Sequence, residues 1–157
     1  MKTKILVLIM LQITLLIGAN ITDKITNNYI EIKNSSQCIN SENGSSFKRE
    51  LKINKNSFKI TTKNYKTLNC KKEALEYINE QLFSYTVSGM DKDNLYSLNL
   101  VLLTNSNIKN RAIVSTSHNI KLYSKLLINE NREIFITKPT KNRELKNREF
   151  LAFKKIN

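Results

Sequence analysis

Two runs of strict alternation lie between the only two cysteines of this chain, and they restrict its fold more than any other feature. Residues 47 to 53 put Phe47, Arg49, Leu51 and Ile53 on one side of an extended backbone and Lys48, Glu50 and Lys52 on the other. Strand side chains alternate between two faces, so a period of two with one apolar set describes a strand half buried against a core. Arg49 breaks the apolar set and belongs at a rim. Residues 57 to 65 repeat the pattern, with Phe58, Ile60 and Thr62 set against Lys59, Thr61 and Lys63. Asn54, Lys55 and Asn56 join the two runs, and asparagine tolerates the left-handed backbone that tight turns need. The unit is a β-hairpin, flanked by Cys38 on one side and Cys70 on the other.

The N-terminus says where those cysteines work. Lys2 and Lys4 precede an apolar run at residues 5 to 17, and Gly18 and Ala19 follow it, which is the layout of a secretory leader cut before Asn20. The run is shorter than the roughly 20 residues that a spanning helix needs. A secreted or periplasmic chain with two cysteines implies one disulfide, Cys38 to Cys70. A thiol catalyst or metal site would need further partners, and the sole histidine, His118, is far off in sequence. Asn20, Asn34 and Asn43 begin glycosylation triplets, which matter only in a eukaryotic secretory pathway.

The remainder reads as short strands between turns. Residues 20 to 37 form an N-terminal arm. Its Ile25, Tyr29 and Ile32 have helical spacing, while residues 29 to 32 equally suit a short edge strand, so its form stays open. Residues 34 to 46 are a loop by composition. Between 71 and 82, Ala74, Leu75, Ile78 and Leu82 fit a helix face, yet Tyr77, Phe83, Tyr85 and Val87 recur at odd positions and predict a strand from about 77 to 87. A turn at 88 to 94 leads to an apolar strand at 95 to 104 and an Asn-rich loop at 105 to 110. Short strands at 112–116, 119–123 and 134–137 follow, and residues 150 to 156 close the chain with Leu151 and Phe153 on the better packing face. Several strands of this kind in one stretch without a composition break predict a single all-β domain at 38–157, a barrel or a sandwich.

The order of features carries a resemblance. A cysteine, a loop, the Ser45-Ser46-Phe47 entry to a strand, a hairpin, Tyr65 ahead of Cys70 and the aromatic stretch from Phe83 through Tyr85 to Val87 follow one another. This layout resembles small secreted lipocalin-like β-barrels, including barrels of the APC-downregulated (APCDD) type and bacterial exported proteins of similar layout. It covers residues 38 to 103. The resemblance implies a meandering antiparallel barrel with a disulfide near its mouth.

Charge and chemistry narrow the function. Lys and Arg number 26 against 13 acidic residues, a formal charge of +13. Such a balance can mark an anionic partner, but the basic residues are spread along a chain rich in Lys, Asn and Ile, a mix expected of an A+T-rich genome. The densest basic run holds Lys138, Lys141, Arg143, Lys146 and Arg148, diluted by Glu144 and Glu149. It is the candidate for contact with an anionic surface, and a solvated loop is the preferred reading. Glycines 18, 44 and 89 are isolated, so no phosphate loop exists, and one histidine cannot build a zinc site. Glu73, Glu76 and Glu80 read as a solvated face, and Ser117 beside His118 would point the opposite way on a strand. No cofactor, metal or catalytic residue is therefore expected. Phe47, Phe58, Phe83 and Tyr85 are the candidates to line a ligand cavity, with a filled interior favoured over a hollow one. Two functions follow: an exported binding protein for a small apolar ligand or a protein partner, or a small basic hydrolase or toxin acting on an anionic substrate.

Overall fold

A computed structural model describes residues 21–33, 36–91, 93–143 and 149–156. The leader, Asn20, Asn34, Lys146 and Arg148 lie outside the described residues. Among the described residues nine strands form a single antiparallel sheet: β1 (Asn27–Ile32), β2 (Ile39–Asn40), β3 (Ser46–Ile53), β4 (Ser57–Tyr65), β5 (Leu75–Met90), β6 (Tyr96–Lys109), β7 (Ala112–Ile128), β8 (Ile134–Thr137) and β9 (Phe150–Lys155). Strands β3 to β9 pair with their sequence neighbours. β1 then pairs with β9 on one side and β3 on the other, closing eight strands into a barrel. The alternation leaves a barrel and a sandwich open, and the fold is the all-β antiparallel barrel.

The hairpin expected at its centre is present, paired from Ser46 opposite Tyr65 to Ile53 opposite Phe58. The N-terminal segment resolves both of its readings. Residues 21–25 form a helical turn whose Ile21 and Ile25 are buried in the core. The Tyr29 hydroxyl donates to the Ile25 carbonyl at 2.9 Å, and from there the chain runs as β1. The strand prevails because β3 and β9 each offer an edge, and Tyr29 faces Leu51 across the seam.

Two segments differ from expectation. Residues 105–110 are not a loop, since β6 runs on to Lys109, and the two short strands expected at 112–116 and 119–123 are one strand, β7. The hairpin turns on Asn110 and Arg111 alone, both at positive φ (51° and 67°), as a two-residue turn between twisted strands requires. Polar residues signal a loop only where a wall must be apolar, and a sheet wetted on both faces tolerates them.

Apolar side chains fill the closed half of the barrel. Phe58, Leu51, Phe83, Leu100, Leu126, Ile134 and Phe153 are fully buried, and the Phe58 and Phe83 rings stack with centroids 4.7 Å apart. Irregular pairing then falls between Leu82 and Phe83 on β5, and between Leu102 and Thr104 on β6. A bulge inserts a residue and reverses which side chains face inward. The inward set on β6 thereby changes from Leu98, Leu100 and Leu102 to Asn105 and Asn107, leaving Leu103 exposed.

The disulfide joins Cys38 to Cys70 across 32 residues. It ties the β2 approach to the β4–β5 connection, where the Ser46 hydroxyl donates to the Thr67 carbonyl (2.6 Å) and accepts from the Cys70 amide (3.0 Å). Closing a loop of this size contributes about 3.5 kcal/mol in the chain-entropy model. A bond of this kind is consistent with an oxidising compartment, and no helix among the described residues is long and apolar enough to cross a membrane.

Candidate functional site

Above the packed half the barrel opens into a polar mouth. The strand registers build it in rows, with Arg49 opposite Thr62, Thr62 opposite Asn79 and Asn79 opposite Asn107. The row below runs from Leu51 through Ile60 and Gln81 to Asn105. Of these, Arg49, Ile60, Thr62, Asn79, Gln81 and Asn107, together with Asn64, Tyr77, Lys138, Pro139 and Leu151, line an open cavity of about 570 Å³. Carboxamides and hydroxyls share its wall with Ile60, Pro139 and Leu151, and polar contacts are already made there: the Asn64 Nδ2 donates to the Thr62 carbonyl at 3.4 Å, and the Asn79 Nδ2 to the neighbouring Asn105 Oδ1 at 3.2 Å.

An ion pair stands at the edge of this space. Arg49 is hydrogen bonded to Glu31, whose side chain is only 6% exposed against 19% for the arginine. The Arg49 guanidinium lies 5.0 Å over the Phe47 ring, and its Nε reaches the Thr62 hydroxyl at 3.4 Å. Three contacts fix one planar group, so the arginine is held rather than free to sweep the mouth. Burial pushes the Glu31 carboxyl above the usual carboxylate range, and the Arg49 and Lys138 charges only partly offset it.

The residues singled out in the sequence are distributed between the two halves. Phe58 and Phe83 stack within the core. Tyr85 is buried beside them, its hydroxyl donating to the Asn54 carbonyl at 3.1 Å, and burial raises its pKa. Phe47 lies near the mouth beneath Arg49. Of the basic run, Lys138 lines the mouth, Arg143 lies 6.0 Å over the Tyr123 ring and Lys141 is exposed. Glu76 and Glu80 form ion pairs with Lys109 (3.6 Å) and Lys59 (2.9 Å), and Glu73 is exposed in a short 3-10 turn. His118 sits on β7 with Nε2 2.9 Å from the Thr116 hydroxyl.

Glu31, Asn79, Gln81 and Asn107 were not among the candidates. The β5 members were visible in principle: Tyr77, Asn79 and Gln81 share the odd parity of Phe83 and Tyr85, so they face the same interior. Two further concavities exist. One, of about 530 Å³, lies across β5, β6 and β7 among Ser84, Val101, Lys121 and Tyr123; the other, of about 470 Å³, lies by the helical turn near Asp23 and Arg132. Among the described residues no cluster of three or more His, Cys, Asp or Glu side chains could hold a metal ion. Comparison with known protein families, curated proteins and solved structures finds no match.

Proposed function

We propose that the chain is an exported, lipocalin-like binding protein that holds a small, hydroxyl-rich, acidic ligand in its polar mouth. The observation that carries this reading is the lining of the 570 Å³ cavity: Thr62, Asn64, Asn79, Gln81 and Asn107 converge on one space beside Lys138. Carboxamides both donate and accept, which matches the dual character of hydroxyl groups. Lys138 supplies a positive charge for an acidic group, while Arg49 is already engaged by Glu31. An apolar guest would strip water from these amides without replacing its hydrogen bonds, at a cost of about 1–3 kcal/mol for each group left unpaired. Export is supported by the leader-like N-terminus and the disulfide. Thermal-shift titration with glucuronic acid, glucose and a long-chain fatty acid tests the reading. Glucuronic acid is expected to raise Tm most, and the double variant Asn79→Ala with Gln81→Ala to lose the effect. Stabilisation by the fatty acid and by neither sugar would sink it.

A further inference from the structure

The outer edge of β7 is open over much of its length. β6 covers one side of residues 112–122, and on the other side no strand among the described residues pairs with them. Pairing resumes only at Tyr123, which exchanges both backbone hydrogen bonds with Thr140 at 2.7 and 3.1 Å. The edge therefore already takes an antiparallel neighbour at its lower end. Open edges are ordinarily blunted by lysine, proline or inward charge. Residues 112–120 contain no proline and no Lys, Arg, Asp or Glu, and Ile113 and Val114 are each 67% exposed.

Charge identifies what such an edge would accept. β6, β7 and the turn between them hold no Asp or Glu, but they hold Lys109, Arg111, Lys121 and Lys125. Lys109 pairs with Glu76 and Lys125 with Asp91. Arg111 and Lys121 have no acidic partner among the described residues, and both are exposed. They stand at the two ends of the open edge, about 30 Å apart at the rise of an extended strand. A second copy would bring the same bases and no acid to meet them, on a chain of formal charge +13. The neighbouring outer groove, with Val101 and Tyr123 flanking Lys121, offers room for apolar side chains of an added strand.

We propose that the open edge of β7 binds an extended, acid-ended segment of a partner protein as an added antiparallel strand. Backbone bonds along residues 112–122 supply the affinity, and Arg111 and Lys121 set the sign of the charge the partner must carry. The test is an NMR titration of the full chain with a peptide of about twelve residues, alternating threonine and valine, with glutamate at both ends. Amide shifts are expected to change along residues 112–122, with a lysine-ended twin binding at least about tenfold more weakly. The double reversal Arg111→Glu with Lys121→Glu should exchange that preference. Absence of β7 shifts with the glutamate peptide, or equal binding of the twin, overturns the proposal. Self-association through the same amides in sedimentation would overturn it too, and assign the edge to a second copy instead.

Discussion

The two halves of the barrel share strands but not chemistry. Below the irregular pairing at Leu82 and Leu102, β5 and β6 present Phe83, Tyr85, Leu98 and Leu100 to a buried apolar core. Above it, the same two strands present Asn79, Gln81, Asn105 and Asn107 to an open mouth. Backbone hydrogen bonding continues through both, so the difference lies wholly in what the inner face shows. Apolar burial is concentrated in one half, and the other is polar and open.

The contrast is sharpest in what damage each half should tolerate. Phe83→Ala removes a fully buried ring stacked on Phe58 and should cost about 3–5 kcal/mol in urea unfolding. A loss below about 1 kcal/mol would mean that the closed half is not the stabilising one. Arg49→Met sits at the boundary. It strands the buried Glu31 carboxylate, and breaking such a pair from one side costs about 3 kcal/mol at neutral pH. Here pH separates charge from packing. The Glu31 carboxyl already titrates above its ordinary 4.5, and without Arg49 it should titrate higher still. A raised folded-state pKa gives stability that is complete below the unfolded value and lost as pH rises through the folded one. The deficit of Arg49→Met should therefore shrink between pH 7 and pH 5, and a deficit independent of pH would assign it to packing alone. Asn79→Ala, in the mouth wall, should change stability by no more than about 1 kcal/mol. A larger loss on thermal unfolding would make the mouth part of the structural core.

The closed half was the more legible in sequence. The alternation at Phe47–Ile53 and Ser57–Tyr65 set the central hairpin, and the odd-numbered aromatics of β5 marked its inner face. Hydrophobic periodicity reports burial, so it is silent where a strand is wet on both sides. That is why residues 105–110 read as a loop and why β7 read as two pieces. Arg49 stood out as an exception within a strand pattern, but its partner could not be read locally. Glu31 meets it only because β1 lies beside β3, a pairing set by closure of the whole barrel. The site followed the same rule: single residues such as Gln81 carried the correct parity, and their convergence required the register of four strands.

That closure has a kinetic side. Strands β3 to β7 each pair with the strand just before or after them, so their hairpins can form from local encounters. β1 is different, because Tyr29 must find Lys155 near the far end of the chain as well as Leu51. The entropy of bringing such distant segments together is spent before any of their contacts can repay it, which slows pairings of this kind. Pairing of β1 with β9 is therefore expected to come late, whereas the Glu31–Arg49 pair needs only β1 beside β3.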